Sequence, residues 1–244
     1  MANRNGPLDG LETPDTGQGG GHAGASGAGS GGGPLLGVET LSARRGYRVL
    51  FEGLDFELPR GGAVELRGPN GSGKSTLLRI LAGLTRPHMG IVRIYPDDAA
   101  SEETDRARHY LGHLDAVKPA ETALAQARFW SRFLTGDVSA AEAALERVGL
   151  SRRADVPGRG LSAGQKRRLA LARLVLDPRP IWLLDEPMAS LDVDGQALVR
   201  ELVAAHLDRG GGVVAAVHGE GFAGATPLDL RDYPASPVAA DMYS

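Results

Sequence analysis

The chain has no cysteine. That absence excludes disulfides, thiolate zinc sites, iron–sulfur clusters, thiol catalysis and a CxxCH haem attachment together. It suits a reducing compartment. Long apolar runs are also missing. The longest, Ile181-Trp182-Leu183-Leu184 and Val213 to Val217, are strand-length, well short of the about 18 residues that read as a membrane span. No apolar core follows Met1, so the sequence is read as lacking a secretory signal and working in the cytoplasm. At a membrane, another subunit would have to hold it there. Nor is there an excess of basic charge. The 27 Lys and Arg against 30 Asp and Glu leave a net charge of −3, which argues against nucleic acid as a partner.

Glycine, by contrast, is plentiful: 35 residues, 12 of them within the first 34 positions. Residues 17–33 read GQGGGHAGASGAGSGGG and hold no large side chain. Nothing there offsets the ordering entropy, so residues 1–34 are expected to form a disordered tail in which His22 is solvated. The remainder is long enough for one α/β domain.

Val38 to Leu41, Arg48 to Phe51 and Leu54 to Leu58 read as short strands, broken at Gly46 and Gly53. Ala63 to Leu66 is a further strand. From Lys74, Leu77, Ile80, Leu81 and Leu84 fall on one helical face, and Gly83 and Pro87 close that helix. Ala99 to Val156 reads as a mostly helical insertion, rich in Ala, Arg and Glu. Ser162 has cap chemistry ahead of a helix over Ala163 to Leu176, which Asp177-Pro178-Arg179-Pro180 stops. Ile181 to Leu184 and Val213 to Val217 have the continuous apolar character of buried parallel strands, with a helix over Gln196 to Leu207 between them.

Gly68-Pro69-Asn70-Gly71-Ser72-Gly73-Lys74-Ser75 matches the GxxxxGK[ST] phosphate loop, and Thr76 follows it into the helix. The glycines let backbone N–H groups wrap a phosphate, and the helix N-terminus adds a favourable dipole. Lys74 is expected on the β- and γ-phosphates of ATP and the Ser75 hydroxyl on Mg²⁺. Four apolar residues run from Ile181 into Asp185-Glu186. Downstream of a phosphate loop, Asp185 stands where a carboxylate holds the hydrated metal, and Glu186 where one polarises the attacking water.

Leu161-Ser162-Ala163-Gly164-Gln165, followed by Lys166-Arg167-Arg168, would alone be a helix start with a basic exposed face. In its place between the phosphate loop and Asp185-Glu186 it resembles the signature sequence of ATP-binding-cassette (ABC) ATPases, with Ala163 where the commonest form has glycine. The resemblance implies an α/β fold, a P-loop core of ABC type with an antiparallel N-terminal β-region and a helical subdomain at about 99–160. It spans about 35–220 and leaves 221–244 as a C-terminal extension. It also implies a homodimer in which Ser162, Gly164 and Gln165 of one subunit cover nucleotide on the other. Ala189-Ser190-Leu191-Asp192 resembles the family's D-loop, and His218 its switch histidine at the γ-phosphate. Adenine is expected to stack on Arg45 or Tyr47, unless these are solvated edge residues.

Tyr110 to Pro119 (YLGHLDAVKP), Phe129-Trp130 and Leu161 to Leu174 (LSAGQKRRLALARL) are similar to the ATP-binding subunits of cytochrome c biogenesis complexes, the haem-exporter type. That narrower resemblance implies ATP hydrolysis at the cytoplasmic face of a bacterial inner membrane, with integral membrane subunits as partners. Two residues depart from the wider family: Leu114 replaces a glutamine that reaches Mg²⁺ and water, and Met188 replaces a threonine. A soluble ABC ATPase of an assembly system is an alternative. So is a P-loop small-molecule kinase, which would have no use for the Leu161–Gln165 segment. No direct haem binding is expected, since His109 and His113, although spaced i, i+4, have no further ligand pair nearby. Phe129, Trp130 and Phe133 are read as subdomain core, or else as the lining of a partner groove.

Deleting residues 1–33 is expected to leave the melting temperature and the ATPase rate unchanged, because the segment has no apolar surface to bury. A drop of several degrees in the truncated chain would contradict that reading of its composition.

Overall fold

The computed structural model describes residues 33–95, 104–177 and 179–235. The expected tail falls outside them up to position 32, as do Pro178 and residues 236–244. In chain order the elements are β1 (Leu36–Arg45), β2 (Arg48–Leu58), β3 (Ala63–Arg67), α1 (Lys74–Leu81), β4 (Met89–Ile94), β5 (Arg108–Leu111), α2 (Ala123–Thr135), α3 (Ala140–Arg147), α4 (Ala163–Leu176), β6 (Ile181–Asp185), α5 (Val193–Asp208), β7 (Gly212–Ala216) and β8 (Thr226–Asp229).

Two sheets result. A three-stranded antiparallel sheet has the order β2-β1-β4, and a five-stranded sheet, parallel at every pairing, has the order β5-β6-β7-β3-β8. The parallel sheet is apolar on both faces, and strand alternation sorts its side chains between them. Ile181, Leu183, Val214 and Ala216 pack with α1 and the antiparallel sheet. Trp182, Leu184, Val213 and Ala215 pack against the layer of α2 to α5. Each large side chain so enclosed contributes roughly 1.5–3 kcal/mol.

Several sequence expectations need correcting. β2 runs through Gly53 rather than stopping there. Glu52 and Gly53 lie opposite Ser42 alone, where the β1–β2 register shifts. Gly53 takes φ +67° and donates its N–H to Ser42 Oγ at 3.2 Å, so the glycine makes a bulge instead of a break. Helix α1 ends at Leu81 because Gly83 is left-handed (φ +74°), which throws Leu84 out to 65% exposure. The insertion from Ala99 to Val156 is not helical throughout: Arg108–Leu111 is β5, in parallel register with β6. Four residues are too short for a periodic signal, and only pairing with β6 makes them a strand. The segment read as a C-terminal extension supplies β8, which pairs with β3. Phe129 and Phe133 stand 46% and 70% exposed on α2, so neither is core.

Two histidines are buried with the helical layer. His109 sits in β5 with Nε2 2.6 Å from the Asp177 carbonyl oxygen, and burial, then the Arg179 charge, pushes its pKa down to about 4. His206 stacks on Trp182 with ring centroids 3.9 Å apart, and burial pushes it to about 4 as well. Because these folded values lie below the ordinary 6.5, the unfolded chain binds more protons between them. Stability is therefore full above about pH 6.5 and falls as pH drops toward about 4, by on the order of 3 kcal/mol per histidine. Denaturant midpoints measured down to about pH 4.5 should show this fall, and His206→Gln should make it shallower. A pH-independent midpoint would contradict the account.

Candidate nucleotide site

The phosphate loop joins β3 to α1. Gly68, Gly71 and Gly73 take φ of +132°, +81° and +110°, which a side chain would strain. A Cβ on Gly68 would come within 2.8 Å of Ser72 Oγ, and one on Gly73 within 3.1 Å of the Phe51 ring. The loop closes round the Lys74 ammonium, which donates to the Gly68 and Pro69 carbonyls at 2.7 and 3.1 Å. Asn70 is at its exposed tip. Gly73 caps α1 without a side-chain bond, leaving the helix's first N–H groups open to an anion. Ser72 Oγ is buried with no partner among the described residues, another donor aimed into the loop.

A cavity of about 660 Å³ opens over this loop, lined by Lys74, Ser75, Thr76, Asp185 and Glu186. Ser75 Oγ donates to Asp185 Oδ1 at 3.0 Å. Asp185 Oδ2 is buried with no partner among the described residues. A hydroxyl beside a spare carboxylate oxygen is a donor set that suits hydrated Mg²⁺. Glu186 takes φ +50°, rare for a residue with a side chain, and both its backbone groups are held. Its N–H donates to the Ala216 carbonyl at 3.0 Å, and its own carbonyl accepts from Arg167 Nη2 at 2.7 Å. His218, just past β7, lies with Nε2 3.1 Å from Glu186 Oε1.

Arg167 is not part of an exposed basic face. It is 2% exposed and makes five hydrogen bonds. Nε donates to Pro187 O, Nη2 to the Asp185 and Glu186 carbonyls, and Nη1 to Gly112 O and Asp115 Oδ1. His109 and His113 do not share a helical face. Spacing i, i+4 joins two residues only on a helix, whereas here His109 is inside β5 and His113 lies beyond its end. His113 Nδ1 is 3.4 Å from Glu186 Oε2. His218 is marked in the sequence by its resemblance to the family's switch histidine, whereas nothing local marks His113, whose place depends on β5. Leu114 is 82% exposed, and it is its neighbour His113 that lines the cavity. Arg45 also lines that cavity, and Tyr47, 77% exposed, does not.

Ser162, Gly164 and Gln165 are not among the residues lining the phosphate cavity. They open α4 in a capping box: Ser162 Oγ accepts from the Gln165 N–H, and Gln165 Oε1 from the Ser162 N–H.

The family model for ABC transporters matches residues 51–189. The cytochrome c biogenesis ATP-binding export protein CcmA of Rhizobium meliloti (strain 1021) is 49% identical over 205 residues, covering 80% of this chain and 97% of that protein. The chain belongs to the ABC transporter ATPases, in the CcmA family. An ATP-binding protein of a putative ABC transporter from Pyrococcus furiosus superposes with a TM-score of 0.70 at 23% identity, over 82% of this chain and 99% of that one, and so speaks to the fold. A bacterial ABC transporter cassette of dimeric structure gives 0.64 at 26% identity, over 76% and 88%.

In this ABC ATPase the segment resembling the signature packs on the one resembling the D-loop. A Cβ on Gly164 would lie 3.0 Å from the Ser190 carbonyl oxygen, and Arg168 Nη2 donates to Asp192 Oδ1 at 3.2 Å. Met188 packs against the helical core.

Replacing Arg167 with Met should destabilise the chain by about 3–5 kcal/mol, because it orphans buried carbonyls and the Asp115 carboxylate. Equilibrium denaturation measures this, and a loss below about 1 kcal/mol would show the guanidinium to be dispensable.

Proposed function

We propose that the chain is the ATP-hydrolysing subunit of a membrane ABC complex in c-type cytochrome biogenesis. The observation that carries the hydrolytic part is the Glu186 carboxylate, facing the same cavity as Lys74, Ser75 and Asp185. The 49% identity to CcmA of Rhizobium meliloti supports the biogenesis part.

In this reading Gly68 to Thr76 seat the ATP phosphates, with Lys74 moving from its carbonyl contacts to the β- and γ-phosphate oxygens. Ser75 and Asp185 would hold Mg²⁺, which supplies positive charge to the phosphates. Glu186 accepts a hydrogen bond from water and aligns its lone pair with the γ-phosphorus. The new P–O bond forms as the bond to the bridging oxygen breaks, releasing ADP and phosphate, and the water proton passes to Glu186 or to the phosphate. His218 holds the carboxylate and contacts the γ-phosphate. Arg45 stacks on adenine through its guanidinium face. Ser162, Gly164 and Gln165 complete the site of a second copy, which the dimeric cassette of similar fold supports.

No described helix is long and apolar enough to cross a membrane. The reading therefore assigns attachment, at the cytoplasmic face of a bacterial inner membrane, to integral membrane subunits. The exposed Phe129 and Phe133 rings, stacked at 6.2 Å, suit such contact. The chain's own part is energetic and involves neither haem ligation nor nucleic acid. The domain of this assignment begins at about 35 and runs beyond 220 to take in β8, with β5 inside the insertion at about 99–160.

Glu186→Gln should retain ATP but slow turnover by at least about 100-fold, accumulate an ATP-bound dimer, and abolish c-type cytochrome formation in cells. Lys74→Ala should instead weaken ATP binding about 10–100-fold. Normal turnover by Glu186→Gln would remove the hydrolytic assignment. Inactive enzyme with normal cytochrome formation would remove the biogenesis role.

A further inference from the structure

We infer that His113 is a positioning residue for ATP hydrolysis. Its imidazole steadies the Glu186 carboxylate from the side opposite His218, and so ties the entry to the helical insertion into the chemical step. The inference rests on the reading of Glu186 as the group that aligns water.

Register sets the geometry. Leu111 of β5 pairs with Leu184 of β6, so the chain leaves both parallel strands at the same level. Two residues on, each strand presents a polar side chain: His113 from one and Glu186 from the other. The contacts fall on different carboxylate oxygens, Oε2 at 3.4 Å from His113 Nδ1 and Oε1 at 3.1 Å from His218 Nε2. Glu186 is thus held between imidazoles from the ends of β5 and β7.

His113 does not arrive there on a loose loop. Arg167 binds Gly112 O before it and Asp115 Oδ1 after it, each at 2.9 Å, with the same guanidinium that holds the Glu186 carbonyl. Both partners are therefore referred to one buried anchor. The imidazole itself is 64% exposed, so its pairing with Glu186 contributes little to folding. An exposed imidazole that lines the cavity over Lys74 and Ser75 instead has the reach to restrict how the carboxylate turns toward water.

The test compares full-length wild type with His113→Ala, His113→Gln, Glu186→Gln and the His113→Ala/Glu186→Gln double variant. It measures kcat and KM for ATP, ATP affinity by direct titration, and melting temperature. His113→Ala should lower kcat about tenfold, with ATP affinity within about twofold of wild type and an unchanged melting temperature. His113→Gln, which keeps a hydrogen-bonding group there, should recover part of the rate. The double variant should be no slower than Glu186→Gln, because His113 acts through the carboxylate. Wild-type kcat in His113→Ala beside an inactive Glu186→Gln would overturn this inference alone. A change confined to KM would overturn it too, making His113 a binding contact. Activity retained in Glu186→Gln would overturn the underlying reading of the carboxylate.

Discussion

A guanidinium cannot shed its charge at any pH a protein tolerates, so a buried one needs acceptors along every N–H direction. Arg167 finds them in two loops that the chain separates by some seventy residues, Gly112 to Asp115 and Asp185 to Pro187. Four of its five acceptors are backbone carbonyls, so what it holds is the course of the main chain. One of those carbonyls belongs to Glu186, whose left-handed φ of +50° costs about 1–3 kcal/mol unless its surroundings enforce it. Arg167 on one side and Ala216 on the other do so. The carboxylate can be placed there because a buried cation elsewhere makes any other course of the loop costlier.

The parallel sheet decides which groups can meet at that point. Strands β5, β6, β7 and β3 lie in order and run the same way, so all their carboxyl ends open on one edge. His113, Asp185 with Glu186, His218 and the phosphate loop are what those four ends carry. Alternation along β6 and β7 supplies the rigidity, since both faces of each strand are apolar and both are covered. Such an edge cannot shift one strand without opening a core on two sides.

Legibility in the sequence followed how local each cause was. The phosphate loop, the Ser162 cap and the two apolar strands are written in neighbouring residues, and the structure has all of them. β5 and β4 were not legible, because four and six residues become strands only through partners far along the chain. β2 crossing Gly53 was missed for a related reason: the bulge is a relation to Ser42 on β1, not a property of the glycine. Arg167 shows the limit most clearly. In Lys166-Arg167-Arg168 nothing local says which cation is buried, and that depends on two loops converging beneath α4. The same holds for His113, since its place is set by β5 and by Arg167.

Helix α4 joins the two halves of this arrangement along a short path. Its first residues carry the exposed Ser162 and the close Gly164–Ser190 approach. Arg167 lies five residues beyond Ser162, roughly 7.5 Å along the axis at 1.5 Å per residue. Between them the helix is a short rod, and Arg167 at its far end donates to the Glu186 carbonyl at 2.7 Å. The rod is stiff there, because the capping box satisfies its first turn and Leu169 to Ala172 are buried behind it. The Arg167 hydrogen bonds reach Asp185 to Pro187 and Gly112 to Asp115 together, so the loops that carry Asp185, Glu186 and His113 share one anchor. The exposed end of α4 is thus joined to the Glu186 loop through a single buried side chain.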